Sequence, residues 1–313
     1  MSRYPFRQPA ALPVAIIALC ALAPSAYAQA AGNVAVVINE NSQASVKIGE
    51  YYARARALPA SNVLRIRTSE EETVDRATFE STIERPLADA ISRDRLQDRI
   101  LYLVLTKGIP IRVAGAAGLT GTMASVDSEL TLLYRHMTGR RTPLNGFAAN
   151  PYFLGDRAIA EAQPFTRRDH DIYLVSRLDA FTVEGALALV DRARAPATEG
   201  RIVLDQRDAL VNRTGEDWLG LAAKRLTEQG HADRLLLEAT TKPVRGVTPV
   251  LGYSSWGSTD PQNRVRSVGF GFAPGAIAAN LVSTDARTFR PPPDTWRPPA
   301  NLSNRSSWFA GSP

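Results

Sequence analysis

Ile100-Leu-Tyr-Leu-Val-Leu105 is apolar at every position. A strand with one wet face alternates apolar and polar residues. An unbroken run of this kind reads instead as a strand covered on both faces, which is the position of a central parallel strand between layers of helix. The flanking sequence fits that reading. Val34–Ile38 and Val63–Ile66 are short β-branched strands. Between them, residues 43–57 read as a helix with Ser42 placed to cap it. Residues 75–92 form a second predicted helix, in which Phe79, Ile83, Leu87 and Ile91 share one face and Pro86 should kink or split the run. This β-α-β-α-β order opens a doubly wound, mainly parallel α/β sheet with helices on both faces.

The alternation loosens and then returns. Residues 125–137 read as one helix with Leu130, Leu133, Tyr134 and Met137 inward. Gly115, Gly118 and Gly121 mark a loop before it, and residues 138–168 form an irregular excursion. Strands are expected at 172–175, 202–204, 235–237 and 250–255. A helix carrying Val183, Ala186, Leu187 and Val190 follows the first, and a helix over 214–229 closed by Gly230 follows the second. Residues 29–289 thus form an α/β domain with room for two lobes, 29–137 and 169–289. From Arg290 a Pro-rich tail of residues 290–313 lacks periodicity and cannot build a ladder or helix. It reads as a docked tail or as a truncation.

The amino terminus reads as an export signal. Arg3 and Arg7 precede a run from Ala10 to Ala23, Pro24 breaks it, and Ala26-Tyr-Ala28 is a small-x-small cleavage site. The run is shorter than the roughly 20 residues that span a bilayer. Residues 1–28 are therefore expected to be removed, leaving no membrane span and a periplasmic or extracellular protein. Cys20, the only cysteine, leaves with them. The remaining body is expected to hold no disulfide, thiolate metal site or cysteine nucleophile. Loss of Arg3 and Arg7 lowers the formal charge from +6 to +4. Scattered arginines of this kind do not make the basic, aromatic-lined stripe of a nucleic-acid binder, and no nucleic-acid partner and no cofactor are expected.

Ligands of open parallel sheets bind beyond the strand carboxyl ends. That rule selects Asn39 and Glu40, Lys107, Arg177 and Asp179, Asp205, and the segment Ser255, Trp256, Ser258 and Asp260. Asp127 and Glu129 stand in the first turn of their helix, where acids complement the dipole or reach a cleft. None of the recognised catalytic spellings is present. Gly252-Tyr-Ser-Ser-Trp-Gly257 misses the nucleophile-elbow spacing by one residue, and Gly269–Gly275 resembles a dinucleotide loop only in its glycines. His136 reads as a surface or packing residue, His170 as part of a charged loop and His231 as a helix-end residue.

Val34–Glu40, Glu50-Tyr-Tyr-Ala53 with Arg56, Tyr102–Pro110, Ser125–Leu130 and Ser255–Ser258 together resemble an uncharacterised family of exported bacterial proteins. The resemblance runs through most of the chain and implies no activity; its members continue past the equivalent of Pro313. More distantly, the opening is similar to caspase- and gingipain-type peptidases. Their catalytic His and Cys do not follow Lys107 or Ser255 here.

Two functions stay open. The first is a hydrolase-like enzyme using Asp127, Glu129, Asp205, Ser255 and Asp260 as acid, base, nucleophile or metal ligands, with the metal undetermined. The second is a non-catalytic binding protein, in which Trp256 and Arg177, with Asn39, Glu40, Lys107, Asp179 and Ser258 around them, hold a sugar, peptide or other small molecule.

Overall fold

The computed structural model describes residues 30–115, 123–140, 149–155, 157, 161–207, 213–265, 267–282 and 288–291. The expected export signal, Cys20 and the tail from residue 292 lie outside them, as do Gly118 and Gly121.

The protein is an α/β fold built on two four-stranded sheets, each parallel throughout. In the first, β1 (Val34–Asn39) is flanked by β2 (Val63–Ile66) and β4 (Tyr102–Thr106), and β7 (Leu174–Leu178) completes the order β2-β1-β4-β7. The apolar run at 100–105 is indeed interior: Leu103 and Leu105 are fully buried. Each such side chain contributes on the order of 1.5–3 kcal/mol by leaving water. One face packs Ala35, Val37, Leu103 and Leu105 against Phe79, Ile83, Leu87, Ile91, Leu130 and Leu133. The other face carries Ile38 against α1 (Gln43–Ala55). There a Cβ on Gly49 would sit 2.3 Å from Ile38 Cγ1, so only glycine lets the helix approach this closely. α6 (Val183–Arg192) packs beside α1 through Ile48, Ala180 and Ala186. Helices therefore cover both faces.

Three helices depart from expectation for identifiable reasons. Residues 75–92 split into α2 (Arg76–Phe79) and α3 (Arg85–Arg93), joined by a π turn at Glu80–Glu84. Pro86 has no N–H to continue the α ladder, and the Arg85 N–H reaches back to the Glu80 carbonyl. The expected helix 125–137 is also two, α4 (Val126–Thr131) and α5 (Leu133–Met137). The Tyr173 N–H takes the Thr131 carbonyl at 3.1 Å, which diverts that acceptor from the helix. At the start of α1, Ser42 occupies the N-cap position, but its side chain makes no capping bond. A small third sheet was not foreseen: β3 (Thr73–Asp75), β5 (Arg112–Ala114) and β6 (Met123–Ser125) pair in the order β3-β5-β6. Three-residue strands are too short to show a period.

The second sheet has the order β11-β10-β8-β9, from β8 (Arg201–Asp205), β9 (Leu235–Glu238), β10 (Val250–Ser255) and β11 (Phe272–Asn280). The loosely dinucleotide-like Gly269–Gly275 leads into and forms part of β11 instead, so it is no phosphate loop. One face packs Leu204 and Trp256 under α7 (Arg213–Glu228). The helix ends as read: Gly230 has φ +84°, and the His231 N–H bonds the Leu226 carbonyl. The opposite face carries Val203, Val250 and Tyr253, and it is covered by Val244, Val247 and Phe270 from irregular chain, with Phe272 at the start of β11, rather than by a helix. No helix among the described residues is long and apolar enough to cross a membrane.

Candidate functional site at the carboxyl edge of the second sheet

Parallel register sets one residue from each strand side by side, with side chains on the same face. At the carboxyl edge of the second sheet these partners are Glu238, Asp205, Ser255 and Asn280, in that order across β9, β8, β10 and β11. Two residues earlier the corresponding row is Leu236, Val203, Tyr253 and Ala278. Period-2 alternation thus places a polar row directly above an almost wholly apolar one.

Asp205 is the buried centre of that row, 4 % exposed. Its Oδ2 accepts the Val244 N–H at 3.0 Å, and among the described residues Oδ1 has no hydrogen-bond partner. Burial pushes its carboxyl group up to about 7; the nearby charges of Asp260 and Glu238 add to the rise, while the Val244 N–H and Arg245 oppose it. Asp260, also buried, accepts the Gln262 N–H at 2.8 Å in the turn expected before Pro261. Asn263 ties that turn down by donating to the Gly257 carbonyl at 3.1 Å. Arg245 stands exposed at the rim and reaches the Asn263 side-chain oxygen at 3.4 Å.

Ser255 is a structural hub. Its hydroxyl donates to Asn280 Oδ1 at 3.2 Å and accepts the Gly257 N–H at 2.9 Å. Trp256 is buried, with its indole N–H on Glu216 Oε1 at 2.7 Å. The Arg207 guanidinium covers one face of its ring at 3.7 Å, and a Cβ on Gly215 would meet the ring at 2.3 Å. The ring faces that a ligand would use are occupied from within the chain. Arg207 also donates its backbone N–H to Glu216 Oε1 at 2.9 Å and Nη1 to the Thr259 carbonyl at 2.6 Å. Among the described residues, the buried Glu216 Oε2 and Arg207 Nε have no partner. Burial lowers the Arg207 pKa. Ser258 lies in the 3-10 turn Gly257–Thr259.

The other residues selected from the sequence belong to the first sheet and are committed there. Asn39 is fully buried: its amide donates to the Gly108 carbonyl at 2.8 Å and the Thr68 carbonyl at 3.2 Å, and its oxygen accepts the N–H groups of Thr68 and Asn41. Glu40 pairs on the surface with Arg67. Arg177, expected beyond its strand, lies inside β7, because that strand begins and ends later than its apolar core suggests. It grips Asp127 with Nε and Nη2, at 3.2 and 2.5 Å, and donates to the carbonyls of Ile109 and Pro110. Glu129 pairs with Arg76 at 2.8 Å. Lys107 binds Asp179 at 3.0 Å and the Ala180 carbonyl at 2.7 Å; burial raises the Asp179 pKa, and Lys107 opposes the rise. Of the five candidate catalytic residues, Asp205, Ser255 and Asp260 come together, while Asp127 and Glu129 serve the first sheet.

Arg207, Glu216, Arg245, Asn263 and Asn280 escaped the sequence reading. Arg207 stands two residues past the carboxyl end of β8, so the strand-end rule could have found it. Asn280 required the unforeseen strand β11. His136 is not a free surface group: its Nδ1 lies 2.5 Å from Glu84 Oε1. Among the described residues, no group of three or more His, Cys, Asp or Glu is arranged to hold a metal ion. The chain matches no protein-family model, no curated protein and no solved structure.

Proposed function

We propose that this chain is an exported, hydrolase-type enzyme whose acid–base group is Asp205. The observation that carries the reading is a buried carboxyl group at the edge of a parallel sheet, with one oxygen unpartnered and a pKa near 7. Such a group exchanges a proton readily in either direction near neutral pH. Asp260 is its companion: its negative charge adds to the rise of the Asp205 pKa. Ser255 is an orienting residue in this reading rather than a nucleophile, since its hydroxyl is already engaged. Arg245 at the rim is the group placed to meet a substrate. The segment around Val244 covers Asp205 and holds its Oδ2 through a backbone N–H. Export rests on the sequence of residues 1–28, and amino-terminal sequencing of secreted protein checks it by finding a start just after Ala28.

The binding-protein reading draws no support from Trp256 and Arg177, whose side chains are engaged within the chain. The enzyme reading is tested with 4-nitrophenyl glycosides, 4-nitrophenyl acetate and 4-nitrophenyl phosphate. Turnover of one of them should follow a titration near pH 7 and fall at least about 100-fold in Asp205→Asn, in line with loss of a general acid–base. Ser255→Ala should retain most activity. Turnover of none of the probes, or equal turnover in Asp205→Asn, overturns the reading.

A further inference from the structure

The residues after the irregular excursion begin at the opposite, amino-terminal edge of the first sheet. Arg167 fastens them there. Its guanidinium donates to the carbonyls of Ile100 (3.0 Å), His170 (3.1 Å) and Ile172 (2.8 Å), and it lies over the rings of Tyr134 and Tyr173 at 4.1 and 4.7 Å. Phe165, 8 % exposed, packs its ring 6.3 Å from that of Tyr102, the first residue of β4. His170 stacks flat on Phe165 with ring centres 4.9 Å apart, and Tyr152 meets both rings edge-on at 5.2 and 5.0 Å. Three rings are thus locked together and anchored to the central sheet.

Beside this cluster opens a cleft of about 710 Å³, within the range of about 300–1,000 Å³ typical of small-molecule sites. Pro151, Tyr152, Leu154 and Pro164 give it an apolar wall, and Arg157 and Arg168 stand on its polar side. The two arginines differ. Arg168 is paired with Asp169 through two bonds. Among the described residues, Arg157 donates only Nε, to the Leu154 carbonyl at 3.2 Å, and no carboxylate pairs with it. Its two terminal nitrogens are the fork that receives a carboxylate in two parallel bonds. The His170 Nδ1 in the same wall is buried without a partner.

From this juxtaposition we infer a second site, a cleft that binds a small aromatic carboxylate with its ring against Tyr152 and the two prolines and its charge on Arg157. The site is separate from Asp205 and stands whether or not the enzyme reading does. Its ligand is a ring acid rather than a bare anion, because apolar side chains line the same cleft as the Arg157 guanidinium.

Ligand-observed NMR titration of the full chain with benzoate tests it, beside benzyl alcohol and inorganic phosphate as neutral and ringless probes. Benzoate should bind saturably and at least tenfold tighter than either. Arg157→Ala should weaken it at least tenfold, Arg157→Lys less, and Tyr152→Ala several-fold. Arg194→Ala, an exposed arginine after α6, should leave it unchanged. Thermal melts matching the wild type show that each variant is folded, and Arg157→Gln replaces any that is not. No saturable benzoate binding, equal binding of benzyl alcohol or phosphate, or equal weakening by Arg157→Ala and Arg194→Ala overturns the proposal.

Discussion

The two parallel sheets are made of similar strands, yet their carboxyl edges are finished differently. At the first, charged groups are matched, the buried Nε of Arg76 apart. Arg177, with a side chain 7 % exposed, meets Asp127 and two carbonyls, Lys107 meets Asp179, and Asn39 uses both ends of its amide. At the second, Asp205 Oδ1, Glu216 Oε2 and Arg207 Nε are buried without a bonding partner among the described residues. Leaving a buried polar atom unmatched costs on the order of 1–3 kcal/mol, so folds keep few of them. The first edge therefore ties its segments together, and the second keeps unmatched polar atoms around a buried acid whose pKa is perturbed. Coverage follows the same divide, with helices on both faces of the first sheet and one helix plus irregular chain on the second.

Several measurements sharpen or break that contrast. The largest effect is expected at Asp205. Its carboxyl titrates near 7 in the folded chain and near 4 when unfolded, so the unfolded chain releases its proton first as pH rises. The stability it contributes is whole below about pH 4 and is lost as pH climbs through about 7. Asp205→Asn keeps an acceptor for the Val244 N–H and has no charge to bury. Urea unfolding at pH 8 should find it more stable by up to about 4 kcal/mol, with the difference gone by about pH 4. A destabilised Asp205→Asn at pH 8 would put this residue in the same class as those of the first sheet.

Asp127→Ala should act in the opposite direction. It strands the Arg177 guanidinium inside β7, which should cost about 3 kcal/mol. A loss under about 1 kcal/mol would break the claim that the first edge is load-sharing. Ser255→Ala removes a donor to Asn280 and an acceptor for the Gly257 N–H. A drop of about 1–2 kcal/mol in the same urea assay is expected. The smallest effect belongs to Glu40. Its pair with Arg67, whose side chain is 77 % exposed, should be worth no more than about 0.5 kcal/mol when Glu40→Ala is measured.

Much of the fold was legible along the chain. The apolar run at 100–105, the shared face of Phe79, Ile83, Leu87 and Ile91, and Gly230 at its helix end all act through neighbours within a few residues. Elements missed from the sequence depend on distant partners. Strands β3, β5 and β6 are only three residues long and exist through pairing with one another. The break at Leu132 exists because Tyr173, some forty positions later, takes a helix carbonyl. Strand β11 is rich in Gly, Pro and Ala, and only its ladder with β10 keeps it extended.

The candidate site divides in the same way. The strand-end rule named Asp205, Ser255 and Asp260 because strand direction is a local property. It equally named Arg177, Lys107 and Asn39, which proved to be internal ties. A polar residue at a strand end looks the same in the sequence whether its partner is present or missing. By itself the sequence determined the α/β alternation and which residues stand at the strand ends, since both follow from local periodicity. The tertiary structure alone decided the split into two sheets, the row Glu238–Asp205–Ser255–Asn280, and the burial that lifts one carboxyl to about 7. Register, desolvation and the presence of a bonding partner are relations between segments far apart in the chain, and no single segment carries them.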